Sequence, residues 1–223
     1  MPNKTLALIH TVRWYEKSVI HPFADEFAAE NPDVQIINIM DDSLLSESLA
    51  AGAPTTAVKK RVLHYALAAE TTGADVIMMS CTTMGIATEY ARPFLSVPFF
   101  NIDEPMAREA VGKGQRIGVV ATVPTSAPAT RRLLEREAAL AKKTITIETV
   151  INPQAFDHLV SGDVSGHDEI IRGELDKLAR RVDVIALGQI SLAKIVHDPG
   201  VPVLQVGRTG FAEAQRLLRD AQR

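Results

Sequence analysis

The sequence contains a single cysteine, Cys81, among its 223 residues. One thiol permits no internal disulfide and excludes the zinc sites that are built on several thiolates. The six histidines include no pair spaced four residues apart and form no HExxH motif, so the sequence indicates no metal site. Cys81 is therefore either a buried apolar residue or a reactive thiol.

Long apolar runs and an excess of basic residues are also missing. No stretch approaches eighteen uninterrupted apolar residues, and the first residues lack the apolar segment and cleavage site of a signal peptide, so we expect a cytoplasmic protein without membrane contact. The net charge of −3 and the isoelectric point near 6.1 provide no broad attraction for nucleic acid. With 46% hydrophobic and 23% charged residues, the composition is that of a globular protein.

Short apolar runs rich in β-forming residues alternate with longer helical patterns. This alternation is typical of parallel strands that are joined by helical crossovers. Residues 55–72 and 125–141 are predicted to be helices, because both open on threonine and continue with apolar spacing or strong helix formers. Eight runs are predicted to be strands, and they begin at Thr5, Val34, Asp75, Val97, Arg116, Thr144, Asp183 and Val201.

An internal repeat determines the predicted fold. Residues 73–85 align with residues 181–193, so that DVIMMS at Asp75 matches DVIALG at Asp183, and LALIHT at Leu6 matches IGVVAT at Ile117. The sequence therefore predicts an α/β fold of two pseudo-symmetric, Rossmann-like halves, residues 1–112 and 113–223, with the option that the chain end returns to the first half. Ligands bind beyond the carboxyl ends of parallel strands, so we expect one site in the cleft between the halves, with Cys81 facing Gln189.

Polar residues follow the predicted strands at matching positions of the repeat. Hydroxyl groups and backbone amides in such places suit a small carboxylate, although serine and threonine also cap helices after a strand. Their recurrence in both halves favours a binding site. The candidates are His10, Thr11, Ser80, Thr82, Thr83, Thr122, Thr125, Ser126, Gln189 and Ser191.

Cys81 and His10 are the candidates for proton transfer. Cys81 lies at a predicted strand-to-helix junction, where the helix dipole and nearby amides are expected to lower its pKa. His10 ends the first strand and is either a site acid, base or hydrogen-bond donor, or an ordinary packed histidine. Trp14 and Tyr15 follow it and form either an apolar wall for the substrate or a subunit contact.

Together, these motifs resemble the aspartate/glutamate/hydantoin racemase superfamily. The resemblance rests on the apolar strand ending in Ser80-Cys81-Thr-Thr, the segment Ala121-Thr-x-x-Thr125 and the DVIALG strand. In two-cysteine members, one thiolate removes the proton alpha to a carboxylate and the other thiol returns a proton from the opposite face, without metal or pyridoxal phosphate. The resemblance thus implies a cofactor-independent isomerase acting on a small carboxylate. It assigns the first cysteine's role to Cys81 and carboxylate binding to Thr82, Thr83, Thr122 and Thr125.

The sequence departs from this family pattern at Gln189, which occupies the position of the second cysteine. Glutamine forms hydrogen bonds but exchanges no proton near neutral pH, so racemisation would need a substitute such as His10 or a bound water. Single-cysteine members such as arylmalonate decarboxylase carry their cysteine in the opposite half. Three hypotheses follow: an isomerase, a lyase or decarboxylase with Cys81 as proton donor, or a carboxylate-binding protein without turnover. We also expect a homo-oligomer.

Overall fold

The computed structural model describes residues 4–12 and 20–221, so Trp14 and Tyr15 lie outside the described residues. The chain forms two compact units. Unit 1 comprises Met1–Ile102 and Gly207–Arg223, and unit 2 comprises Asp103–Val206. The division after Ile102 differs from the expected boundary after Gly112, because residues 104–113 form a helix that packs against elements of unit 2. The end of the chain belongs to unit 1. The sequence had left open whether the chain end returns to the first half.

Unit 1 contains a parallel sheet in the order β2-β1-β3-β4. Two short 3-10 turns, Thr82–Met84 and Arg92–Phe94, flank α4. In chain order, the helices and strands are β1 Lys4–His10, α1 His21–Glu30, β2 Val34–Met40, α2 Ser43–Ala51, α3 Thr56–Thr71, β3 Val76–Met79, α4 Gly85–Ala91 and β4 Phe99–Asn101.

Unit 2 contains a second parallel sheet in the equivalent order β6-β5-β7-β8. A 3-10 turn, Ile190–Leu192, follows its third strand. In chain order, the helices and strands are α5 Glu104–Lys113, β5 Arg116–Ala121, α6 Ser126–Leu140, β6 Thr146–Ile151, α7 Pro153–Val160, α8 Val164–Ala179, β7 Val184–Leu187 and β8 Val203–Leu204. The last helix, α9, is Val206–Asp220.

The predicted repeat is confirmed by the two sheets. All eight predicted strands are present, and the fully buried strands β3 and β7 are each followed by a 3-10 turn. The equivalence extends to hydrogen bonds at the strand starts, where Asp75 accepts from the N–H of Thr5 (2.7 Å) and Asp183 accepts from the N–H of Arg116 (2.8 Å). The fold class therefore follows from one repeated α/β pattern.

Helix α9 packs on α1 and completes unit 1. The rings of Phe211 and Phe27 lie 5.5 Å apart, and the side-chain amide of Gln215 donates to Asn31 Oδ1 at 2.7 Å. Gly207 permits the close approach, because a Cβ there would lie 2.7 Å from the ring of Phe23. Across residues 4–12 and 20–221, no helix combines the length and the apolar character that crossing a membrane requires.

Candidate active site

Cys81 lies two residues after the end of β3, at the carboxyl end of the unit 1 sheet. Its backbone is extended, and the next three residues form the turn Thr82–Met84. The half-buried residue places its sulfur among several donors. These are the hydroxyl of Thr11, the backbone amides of Thr83 and Met84, and the side chain of Thr83. Such a set of donors stabilises a thiolate once one forms.

The pKa of the Cys81 thiol is nevertheless raised above its ordinary value. Burial is the largest cause, because removing a thiolate from water disfavours its charge, and the hydrogen bonds from Thr11, Thr83 and Met84 oppose burial without outweighing it. The expected lowering of this pKa was therefore wrong. The expectation counted the amides at the strand-to-turn junction and omitted the desolvation. Burial of the thiol therefore favours its protonated form in the resting protein.

Two pairs of side chains connect the ends of β1 and β3. The register pairs Ile9 with Met79, so the next residues along both strands lie side by side. His10 Nδ1 hydrogen-bonds with Ser80 Oγ at 3.0 Å, and the hydroxyl of Thr11 hydrogen-bonds with the thiol of Cys81. The parallel register thus explains why four of the predicted residues meet at one place in unit 1.

The imidazole of His10 is buried, and both of its ring nitrogens have partners. Nε2 lies 2.8 Å from Asn38 Oδ1 on the neighbouring strand β2. Asn38 Oδ1 can only accept, so Nε2 donates to it, and the hydroxyl of Ser80 lies between His10 Nδ1 (3.0 Å) and the carbonyl of Ile9 (3.1 Å). These contacts favour a role for His10 in anchoring the residue before Cys81 rather than in exchanging protons with a substrate.

Asp41 lies directly after β2, at the same end of the sheet, and was not among the residues predicted from the sequence. It accepts hydrogen bonds from Ser43 N (2.9 Å), the hydroxyl of Tyr65 (2.8 Å) and Arg61 (3.3 Å), and its own N–H donates to the carbonyl of His10 (3.1 Å). Burial raises the pKa of Asp41, but hydrogen bonds from Ser43 and Tyr65 and the charge of Arg61 outweigh it and lower the pKa. The signal in the sequence was the run Asp-Asp-Ser immediately after β2.

In unit 2, the predicted residues Gln189, Thr122 and Ser191 form one buried hydrogen-bond network, which is centred on the side-chain amide of Gln189. Its Oε1 accepts from the backbone N–H groups of Thr122 (3.0 Å) and Val123 (3.1 Å). Its Nε2 donates to Thr122 Oγ1 (2.7 Å) and Ser191 Oγ (2.6 Å). All four hydrogen bonds are internal to the unit, so a substrate contact by this amide would have to replace one of them.

The remaining predicted residues lie at two places. One is the turn that follows β3, and the other is the start of helix α6, which follows β5. Thr82 and Thr83 are buried in the turn after Cys81, and Ser126 is buried in the first turn of α6. Thr125 occupies the cap position of α6, but its side chain makes no capping hydrogen bond. Simple helix capping therefore does not account for Thr125. Within the described residues, no group of three or more histidine, cysteine or acidic side chains is placed to hold a metal ion.

Alkylation of Cys81 by iodoacetamide is expected to depend on pH with a midpoint above that of a free thiol. The thiolate is the reactive form, and burial disfavours it. The measurement is the second-order rate from neutral to alkaline pH, with the urea-unfolded protein as the reference thiol. Thr11→Val should move the midpoint further upward, because it removes a donor to sulfur, while Thr11→Ser should not. A midpoint below that of the unfolded protein would contradict the geometry of this site.

Comparisons with known proteins identify the family. The family described as Asp/Glu/Hydantoin racemase matches residues 17–215. Similar solved structures include an aspartate racemase homologue from Pyrococcus horikoshii, 18% identical with a TM-score of 0.74, covering 97% of this chain and 99% of that one. Allantoin racemase from Klebsiella pneumoniae is 18% identical with a TM-score of 0.65, covering 97% and 88%.

A mutant of arylmalonate decarboxylase also has a similar structure. It is 17% identical with a TM-score of 0.59, and the match covers 98% of this chain and 95% of that one. No curated protein sequence matches the chain. At these identities, the structural matches establish the fold, and the sequence match over residues 17–215 establishes the family.

Proposed function

Because the chain belongs to the Asp/Glu/hydantoin racemase family, we propose that it is a cofactor-independent, isomerase-type enzyme acting at the carbon alpha to the carboxylate of a small acid or amino-acid-like substrate. Cys81 is the residue that moves the proton. The observation that supports this role is the set of donors directed at its sulfur from Thr11, Thr83 and Met84. A cysteine that served only as a packed apolar residue would not need them.

The raised pKa of Cys81 defines how the reaction starts. Burial disfavours the thiolate in the resting protein, and the donors from Thr11 and Thr83 are already in place for one. A substrate ammonium group, or any positive charge brought near the sulfur, favours the charged form, and the thiol then loses its proton to water and becomes the base. Deprotonation of Cys81 is thus coupled to substrate binding.

The carboxylate of the substrate is assigned to the turn after Cys81. Thr82 and Thr83 match the family residues that hold this group, and both are buried beside the sulfur-bearing residue. A carboxylate held there places the alpha carbon near the thiol, and such positioning contributes to the rate by itself. Ser80, fixed by His10, keeps the end of β3 in place for this contact.

A lyase or decarboxylase is the second candidate, and the burial that raises the pKa of Cys81 favours it. In this reaction, the bond between the alpha carbon and a carboxylate breaks and carbon dioxide leaves. The electron pair stays on the alpha carbon, conjugated with a neighbouring carbonyl, and the carbon then takes the proton from Cys81, which water later restores. One protonated thiol is sufficient for this sequence, and the similar structure of an arylmalonate decarboxylase mutant agrees with it.

A screen of small carboxylic acids in deuterium oxide tests both candidates. Loss of the alpha-proton NMR signal with an intact carbon skeleton identifies isomerase-type proton exchange at the alpha carbon, with or without inversion, and release of carbon dioxide identifies the decarboxylase. Saturable binding without either change identifies a binding protein that lacks turnover and would contradict the proposal. The control is Cys81→Ala, in which exchange and release should both disappear. Turnover that survives in this variant would assign the reaction to another residue.

A further inference from the structure

Strand β2 is an edge of the unit 1 sheet, because its one neighbour among the described strands is β1. In a parallel pair, every second residue directs its backbone N–H and C=O groups to the neighbouring strand. Asp41 N–H donates to the carbonyl of His10 (3.1 Å), so the odd-numbered residues of β2 bond with β1. The backbone groups of Ile36, Asn38 and Met40 therefore point away from the sheet, and no described residue, in 4–12 or 20–221, hydrogen-bonds with them.

The sequence of β2, VQIINIM, lacks the residues by which edge strands usually avoid pairing. It contains no charged side chain and no proline, and three half-buried isoleucines, Ile36, Ile37 and Ile39, lie along it. A glutamine and an asparagine are its exposed side chains. A long, uncharged and partly apolar edge of this kind is a template for another strand.

The equivalent edge of unit 2, strand β6, is protected. Its residue Glu148 forms an ion pair with Arg181 at 2.6 Å. The even-numbered residues of β6 bond with β5, so the carbonyl of Ile147 faces outward, and it accepts a hydrogen bond from Arg131 Nη1 at 3.3 Å. The repeat thus contains the same edge strand twice, and within the described residues the copy in unit 1 has neither a charge on the strand nor an arginine on its outer carbonyls.

We infer that β2 is a dimer contact, at which two copies of this chain pair their β2 strands antiparallel about a twofold axis at Ile37. An outward row of N–H and C=O groups fits another strand, and symmetry makes the pairing of two identical strands in a closed dimer antiparallel. With the axis at Ile37, Ile36 lies opposite Asn38 of the partner subunit. Outward-facing residues then meet outward-facing ones, so the N–H of each meets the carbonyl of the other.

The absence of charge favours a second copy of the chain as the occupant of this edge. Residues near a twofold axis lie close to their own copies, so a charged side chain would meet a like charge there. Strand β2 brings together only apolar groups and the neutral amides of Gln35 and Asn38, whereas β6 would bring Glu148 near its own copy. Because Asn38 accepts a hydrogen bond from His10 (2.8 Å), the contact lies beside the candidate active site. The inference concerns unit 1 alone and does not depend on the proposed reaction.

Sedimentation velocity over a series of protein concentrations tests the contact. The wild-type protein should sediment as a dimer, and Ile36→Pro as a monomer at concentrations where the wild type is dimeric, with an unchanged far-UV circular dichroism spectrum. Proline removes the outward N–H and places its ring at the edge but leaves the hydrogen bonds with β1 intact, since edge strands accept proline at such positions. Ile147→Pro is the matched control, because it changes the same residue type at the equivalent outward position of β6 and should leave the dimer intact.

Disulfide cross-linking tests the register and stays decisive if Ile36→Pro fails to fold. In the Cys81→Ala background, Ile37→Cys should yield a covalent dimer on oxidation with copper phenanthroline, because residue 37 faces its own copy at a Cα distance of about 4.5 Å. Ile39→Cys is the control. It lies on the same face of β2 and is also half-buried, but the register places it about 14 Å from its own copy, so it should remain free of cross-links.

The outcomes of these experiments are separable from those of the proposed reaction. A wild-type protein that is monomeric at every concentration would overturn the inference and leave the edge to a strand of a different protein. A dimer that persists in folded Ile36→Pro would place the contact elsewhere, and cross-linking that is equal or absent at residues 37 and 39 would exclude the twofold pairing, so each of these results also overturns it. Alpha-proton exchange by Cys81 is measured separately on the wild-type protein and is affected by none of them.

Discussion

Replacement of Cys81 by alanine is expected to lower kcat on the acid found in the deuterium screen by several powers of ten, on the order of 10⁴-fold. Cys81 is the only thiol in the chain, and the donors from Thr11, Thr83 and Met84 act on its sulfur. KM should change little, because the turn Thr82–Met84 that is assigned to the carboxylate remains.

Cys81→Ser is the matched variant for this experiment. Its hydroxyl retains the hydrogen bonds with Thr11 and Thr83 but ionises far less readily than a thiol, so kcat should fall by a similar factor while the melting temperature stays near the wild-type value. The measurement is steady-state turnover together with thermal unfolding of all three proteins. More than a tenth of the wild-type kcat in either variant would contradict proton transfer by Cys81.

The strands could be predicted from the sequence because each one carries its own local signal. Val76–Met79 and Val184–Leu187 are short, fully buried apolar runs, and their repetition after a fixed interval reinforces the assignment. The polar residues after these strands were also predictable, since chain order alone places Ser80 and Gln189 at strand ends. The parallel register then brings His10 to Ser80 without further information.

Features that depend on several distant segments could not be predicted in the same way. The sequence of α9 indicates an amphipathic helix but not which core it covers, and only the contacts of Phe211 and Gln215 with α1 place it in unit 1. The network of Asp41 likewise combines residues from β2, α2 and α3. No pattern of neighbouring residues in the sequence indicates that these segments meet.

The pKa of Cys81 shows why the chemistry of a site is harder to predict than its residues. The direction of the pKa shift depends on the balance of two opposing effects. Burial raises the pKa, and the donors from Thr11, Thr83 and Met84 lower it. The sequence shows the donors of the turn, because Thr83 and Met84 are near neighbours of Cys81 in the chain. It does not show the degree of burial, which is set by the packing of α2 and α4 around the turn.

The internal hydrogen bonds of Gln189 affect the reaction as well as the stability of unit 2. A glutamine with a free amide could orient a substrate, as the sequence suggested, but this one is engaged by Thr122, Val123 and Ser191. At the position that the resemblance assigns to a second thiol, the chain has a neutral group held in place by four hydrogen bonds. His10, the other candidate for the second base, is engaged by Ser80 and Asn38.

Deuterium is therefore expected to enter the substrate from the Cys81 face only. Proton removal and return on opposite faces need a titratable group on each face, and Gln189 supplies none. In deuterium oxide, one enantiomer of the substrate should exchange its alpha proton with retention, while the other enantiomer remains unlabelled. The measurement is the isotope content of each enantiomer after chiral separation, with Cys81→Ala as the control for uncatalysed exchange.

Equal labelling of both enantiomers by the wild-type protein would contradict this single-thiol mechanism and direct attention to His10. In that case His10→Gln, which keeps a side chain able to donate and accept hydrogen bonds but unable to exchange a proton, should restore one-sided exchange. Gln189→Cys provides the converse test. It introduces a second thiol at the repeat position of Cys81, so the variant should label the enantiomer that the wild-type protein leaves unlabelled, at a rate well below that of the first.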